Sequence, residues 1–246
     1  MKARILFGCF FLVLFFGCSH RKSFVKTEYN DIDISYFDHD QHIDSILSPY
    51  KILVRTTMDE VINTAPKAMI KDQPESELGN FVCDLSMETI KKNMPNVSID
   101  ICIFNNGGFR APLPSGDITK GNIYELMPFE NELVLLTIAG NKINELAKYI
   151  AFSGGQPVAG IKLGIKDKMP IDFLINNLPA DTNRTYQILT SDYLAQGGDK
   201  MTFFNNPIEV IKTNLKMRDA ILNYVIELKK NNHLVESKLD GRVYNK

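Results

Sequence analysis

An α/β (α+β) domain, with mixed sheets layered against helices in a single unit, is what the sequence predicts, and three observations predict it. Short β-rich runs alternate with helical runs along the whole chain after residue 38. The helical runs repeat apolar residues at helical spacing, and the short runs carry β-branched residues bounded by Gly, Pro, Asn and Asp. No internal repeat, low-complexity tract or linker interrupts residues 39–246. The composition, 44% hydrophobic and 23% charged, is that of a globular chain with a sizeable core.

The first segment stands apart. Lys2 and Arg4 precede the apolar run ILFGCFFLVLFFGC, which has signal-peptide length and is too short to span a membrane. It closes on Gly17-Cys18 and resembles a bacterial lipobox, although Phe15 and Phe16 are bulkier than the small residues usual there. Residues 1–17 are therefore expected to be a lipoprotein signal peptide, Cys18 the lipidated residue, and residues 18–38 a polar tether. The implied location is exported, anchored by lipid to a bacterial membrane, the outer membrane facing the periplasm. An ordinary cleaved signal or a short anchor is the other reading. Of the 28 Lys and Arg, two lie in the leader, so the mature chain carries 26 against 29 Asp and Glu. That acidic balance argues against nucleic acid as the main partner and makes any anion site local. Cys83 and Cys102 remain in the mature domain, where two buried thiols are the simpler expectation and a disulfide the alternative.

The elements follow in order. A helix is expected over 39–56, with Ile43, Ile46, Leu47, Tyr50 and Leu53 on one side. VINTAPKAMI reads as extended. Ser76 caps a strong helix that Asn93 and Pro95 stop. SIDICIF alternates as a strand, and Thr119 caps a short helix to about Met127. ELVLLTI is a central strand and KINELAKYIAF a helix. GIKLGI, PIDFLI and RTYQILT are further strands, IEVIKT is extended, LKMRDAILNYVIELKK is an amphipathic helix and GRVYN a closing strand.

Three stretches offer chemistry. In IFNNGGFR, Gly107 and Gly108 can take positive φ and admit a ligand to the backbone, and their amides can form an anion nest beside Asn105. Arg110 offers a planar fork to phosphate or carboxylate. In MPFEN, Phe129 is either core or a platform for a base. In SDYLAQGGDK, Asp199 after two glycines suits a vicinal diol, with Tyr193 close by. Each alone also reads as an ordinary turn.

Together, ESELGN, NNGGFRAPLPSGDIT, MPFEN and SDYLAQGGD resemble, in order and spacing over about residues 58–245, the C-terminal domain of 5′-nucleotidases. The resemblance implies that Asn105 and Arg110 face the phosphate side of a nucleotide, that Phe129 and Tyr193 sandwich the base, that Asn131 meets the base edge and that Asp199 holds the ribose hydroxyls. Asn106 and Lys200 stand where the family has glycine, and Pro74 where it often has arginine.

In that family an N-terminal metallophosphatase domain carries out hydrolysis, and none of the four histidines, His20, His39, His42 and His233, stands in its metal motifs. DHDQHID, with His39 and His42, reads as an acidic helix start rather than a metal site. The resemblance thus implies a nucleotide- or nucleoside-recognition component of a 5′-nucleotidase. It needs no cofactor of its own, and a separately encoded metallophosphatase chain would hold the divalent metal ions. A non-catalytic nucleotide-binding lipoprotein and a self-sufficient phosphohydrolase are the alternatives.

Overall fold

The computed structural model describes residues 40–246; the leader, Cys18, the tether, Asp38 and His39 lie outside the described residues. Helix α1 (Gln41–Met58) starts at Asp40, whose carboxylate accepts from the amides of His42 (2.9 Å) and Ile43 (3.2 Å). That is the N-cap arrangement, with the acid at the positive end of the helix. The apolar side expected to pack inward does not: no residue of α1 is buried. Contacts divide the chain within this helix, after Ser45, and the body of the fold is Ile46–Lys246.

Local capping sets the next elements. Helix α2 (Glu77–Asn93) is opened by Ser76, whose Oγ accepts from the Gly79 amide at 3.0 Å. Helix α3 (Lys120–Leu126) is opened by Thr119 in a reciprocal capping box with Asn122. Strand β1 (Val61–Ala65) pairs antiparallel with β3 (Gly116–Thr119) in a two-stranded ribbon.

A five-stranded mixed sheet forms the centre. It contains β2 (Ile101–Ile103), β4 (Glu132–Ala139), β5 (Val158–Ala159), β9 (Thr185–Ser191) and β10 (Glu209–Lys216), in the order β10-β4-β9-β2-β5. The expected strand SIDICIF is regular only over three residues. Cys102 and Phe104 are as buried as the isoleucines, since α2 packs on β2 and β5. Cys83 and Cys102 are buried free thiols. A second sheet, ordered β11-β6-β7-β8, contains β6 (Ile161–Lys166), β7 (Met169–Ile175), β8 (Leu178–Pro179) and β11 (Val243–Asn245). Helix α4 (Ile143–Phe152) packs on β6 and β7, and α6 (Met217–Lys230) on α2 and β1. The C-terminal segment is latched back: Glu75 accepts from the amides of Asp240 (2.9 Å) and Gly241 (3.0 Å), and β11 runs parallel to β6.

Topology brings three loops to one sheet edge. Strands β2 and β9 are parallel neighbours, so their carboxyl ends lie side by side. Strand β4 is antiparallel to β9, so its start lies at that same edge. Residues 105–110 follow β2, residues 127–131 precede β4, and short helix α5 (Asp192–Ala195) with the 197–200 turn follows β9. Ligands of open α/β sheets bind at such an edge.

The last turn is strained. Gly197 has φ +85°, but Asp199 (φ +50°) and Lys200 (φ +65°) are also left-handed. A side chain in that region costs roughly 1–2 kcal/mol, partly offset in glycine by its freer unfolded chain. Lys200→Gly is therefore expected to stabilise the protein by about 0.5–1 kcal/mol, a rise in Tm of about 1–4 °C. An unchanged or lower Tm by calorimetry contradicts the strain.

Candidate functional site at the β2–β9 edge

The three loops enclose an open cleft of about 370 Å³, and its walls carry all eight residues singled out from the sequence. Asn105, Gly107, Gly108 and Arg110 form one wall; Phe129 and Asn131 form a second; Tyr193 and Asp199 form the third. Larger hollows exist elsewhere, at Asp84–Arg242, beside His233 and beside Phe152, where aromatic rings also meet lysines, but none of these three contains any of the eight residues.

The wall after β2 is built by a tight turn over residues 106–108. The glycines serve it differently from the sequence expectation. Neither Gly107 nor Gly108 has positive φ; what they provide is room. A Cβ on Gly108 would sit 2.9 Å from Asn105 Oδ1, and one on Gly107 would face Asn105 and Asp199 at 3.3 and 3.5 Å. The expected nest of amides is also thinner, because the Asn106 amide donates to Gln156 Oε1 (3.0 Å) and that of Gly108 to the Asn105 carbonyl (3.1 Å). Anion attraction thus rests on Arg110. Its amide is fixed to the Leu126 carbonyl at 2.9 Å, while its exposed guanidinium has no partner among the described residues.

The carboxylate of Asp199 joins two walls. Oδ2 accepts from Asn105 Nδ2 at 2.5 Å, and Oδ1 accepts from the Tyr193 hydroxyl at 2.9 Å. The Asp199 amide donates back to that hydroxyl at 3.2 Å, and the Tyr149 hydroxyl donates to the Asp199 carbonyl at 3.0 Å. Burial, followed by the Asp199 charge, pushes the Tyr149 phenol up, so it stays a donor. A carboxylate accepts up to about four hydrogen bonds, so Asp199 keeps capacity for a diol.

The aromatic rings are half-open. Phe129 is 41% exposed and Tyr193 46%, which excludes the core-packing reading for both. No ring contact joins them, and both line the cleft, so a gap separates them. Tyr193 lies against Gly198, where a Cβ would come within 2.6 Å of ring atoms Cε1 and Cζ. A glycine is therefore needed behind the ring. Asp192 ties the two ring-bearing segments together: its Oδ1 accepts from the amides of Glu132 (3.2 Å) and Tyr193 (2.8 Å).

The Phe129 loop is held from α6. Buried Arg218 donates to the Met127 and Pro128 carbonyls (3.5 and 3.3 Å), stacks over Tyr124 at 4.4 Å and pairs with Glu130. Lys216 takes the other Glu130 oxygen, and the Met217 amide donates to the Asn131 carbonyl at 2.9 Å. Sequence reasoning assigned no role to Asp192, Gln156, Tyr149 or Arg218. All four act across long sequence separations, and Asp192 alone sits inside a quoted motif. Pro74, which stands where the family often has arginine, sets its carbonyl against Gly155, where a Cβ would lie 2.1 Å from that oxygen.

Among the described residues, no group of three or more His, Cys, Asp or Glu side chains could hold a metal ion. His42 and Asp44 lie on α1, away from any such cluster. The cleft can therefore grip an anion, a diol and a flat ring, and its residues do not fit a di-metal centre.

Known proteins share this sequence and fold. The family model of the 5′-nucleotidase C-terminal domain matches residues 56–206. The trifunctional nucleotide phosphoesterase YfkN of Bacillus subtilis is 28% identical over 193 residues, which are 69% of this chain and 12% of that protein. A 5′-nucleotidase of Diplobatis ommata is 26% identical over 197 residues, with 69% of this chain and 33% of the relative covered. Among solved structures, the 5′-nucleotidase precursor of Thermus thermophilus superposes with a TM-score of 0.71 at 26% identity, covering 84% of this chain and 43% of that one. The chain spans a third or less of the length of these curated relatives. With the family model matching more than half of the chain and the fold similar to that of a solved 5′-nucleotidase, the chain belongs to the 5′-nucleotidase C-terminal domain family.

Proposed function

We propose that the cleft binds a nucleoside 5′-phosphate or its nucleoside, with the base between Phe129 and Tyr193, its edge at Asn131, the ribose hydroxyls on Asp199 and the phosphate toward Asn105 and Arg110. The observation that carries this reading is the meeting of three sequence motifs, distant along the chain, in one cleft. The chain is then the recognition component of a 5′-nucleotidase in nucleotide catabolism. In this reading hydrolysis belongs to a separately encoded metallophosphatase chain that holds the divalent metals. Binding energy gathered on base and ribose would serve to position the phosphate for that partner. Export through the leader and lipid anchoring at Cys18 belong to the same proposal.

One observation favours binding of the nucleoside without catalysis as a second reading. Arg110 is the single cation among the described residues that line the cleft, and the resemblance puts Pro74 where the family often has a second. The two readings differ in what Arg110 contributes.

Titration calorimetry of the full chain with AMP and adenosine tests both. Phe129→Ala and Tyr193→Ala should each weaken both ligands by about 1–3 kcal/mol, the value of base stacking. Wild-type protein that binds neither ligand, with or without a partner, ends the proposal. Arg110→Gln should weaken AMP by about 1.5–3 kcal/mol and leave adenosine unchanged. Equal affinity of wild type and variant for AMP selects the nucleoside-binding reading instead.

The loop anchor predicts a pH effect. Hydrogen bonds from Lys216 and then Arg218 pull the Glu130 carboxyl down to about 2. Its unfolded value is about 4.3, so the stability it contributes is present above that pH and is lost as pH falls toward 2. The Tm difference between wild type and Glu130→Gln should therefore be largest at neutral pH and close between about pH 4.5 and 2. A difference that stays constant over this range refutes the anchor.

A further inference from the structure

The hollow beside Phe152, about 400 Å³, has no part in the nucleotide reading. Its lining is largely apolar, with the Tyr149 and Phe203 rings 5.6 Å apart. Phe152 at the end of α4 is 71% exposed, and Met169 at the start of β7 is 55% exposed. Three lysines join them: Lys148 from α4, Lys168 from the turn between β6 and β7, and Lys200 from the turn after β9. Exposed large apolar side chains ringed by charge mark an interaction face.

The three cations are available to a ligand. The side chains of Lys148 and Lys200 make no hydrogen bond or ion pair among the described residues. Lys168 Nζ lies 5.6 Å over the Phe152 ring, a contact that leaves its charge unneutralised. Glu145 is the one acid of the lining and pairs with none of them. A chain of formal net charge −1 thus gathers a local excess of positive charge at this hollow. Two of the lysines are held there against backbone preference: Lys168 (φ +60°) and Lys200 (φ +65°) occupy left-handed positions that glycine adopts with less strain.

The kind of ligand follows from what the hollow lacks. No arginine fork lines it, and the Tyr149 hydroxyl is spent on the Asp199 carbonyl at 3.0 Å, which leaves Thr202 as the one neutral polar side chain. A small molecule or peptide needs convergent polar groups to fix its orientation. Flexible point charges around exposed apolar side chains supply attraction without direction, and that matches an anionic bilayer. Lysines keep their ammonium groups at the headgroups while their stems and the neighbouring apolar side chains enter the acyl boundary.

We infer that this face docks on an anionic lipid bilayer, with Phe152 and Met169 inserted and Lys148, Lys168 and Lys200 against the headgroup phosphates. The inference rests neither on the proposed nucleotide nor on lipid anchoring at Cys18.

The sequence contains no tryptophan, so Phe152→Trp places a single indole reporter at an exposed position of this face. The full chain carrying it is reconstituted on vesicles of phosphatidylcholine alone and on vesicles of equal parts phosphatidylcholine and phosphatidylglycerol. The emission is expected to shift to the blue, and to be quenched by brominated acyl chains, only where phosphatidylglycerol is present. Raising the salt to about 1 M, where the Debye length is about 3 Å, should reverse the shift. Lys148→Gln, Lys168→Gln and Lys200→Gln should each weaken docking about fivefold, and the triple variant should lose the shift while its circular dichroism stays unchanged. No shift on either vesicle, or an equal shift on both, overturns the inference. A shift produced without vesicles by inorganic phosphate or by an acidic peptide shows a site for soluble anions and overturns it as well.

Discussion

The cleft depends on one carboxylate. Asp199 is held by Asn105 from the end of β2 and by Tyr193 from the turn after β9, with no intervening side chain. Those two segments are 94 residues apart in sequence at the Asn105–Asp199 contact. An ionised acceptor between two polar donors gives bonds stronger than neutral pairs, and both donors point across the mouth of the cleft. Everything else at the site sets the geometry of this contact. Gly108 clears space for the Asn105 side chain, Gly198 lets the Tyr193 ring lie flat behind the hydroxyl, and Tyr149 pins the Asp199 carbonyl. The left-handed backbone at Asp199 and Lys200 is the strain that this convergence imposes.

The same contact restrains Tyr193, since its hydroxyl is engaged on Asp199 and its ring is backed by Gly198. For the proposed stacking this is pre-organisation, which lowers the entropy cost. Phe129 lacks a polar tether, and its loop is instead braced through Glu130, Arg218 and Lys216. Asp192 then couples the two supports by accepting from both Glu132 and Tyr193. Anchors on the backbone and on Glu130 therefore position both ring-bearing segments.

How much of this was legible in the sequence follows from range. Ser76 and Thr119 were readable as caps because a cap acts on amides three residues away. The strands around β4 and β9 were readable from their apolar runs, and the eight cleft residues from their motifs. The motifs identified the residues that line the cleft while misreading a cause: positive φ was expected at Gly107 and Gly108, and the need there is space beside Asn105. Gln156 and Arg218 were invisible because their partners lie 50 to 91 residues away and nothing local marks them, and Asp192, though inside a motif, ties the loops through Glu132, 60 residues away. The Glu75 latch on Asp240 and Gly241 is hidden for the same reason.

Helix α1 shows the limit in the other direction. Its periodicity is a strong local signal and correctly predicts a helix, yet periodicity reports only that one face avoids water. It does not say whether the cover comes from the same chain. In α2 the stripe is covered within the chain, as buried Leu78, Val82 and Leu85 show, and in α1 no residue is buried. Charge does not separate the two helices: Glu77 opens α2 and Lys91 and Lys92 close it, as Asp44 opens α1 and Arg55 closes it, the order the dipole favours in both. The difference therefore lies in long-range packing, because β2, β5 and α6 pack against α2 and bury its apolar side.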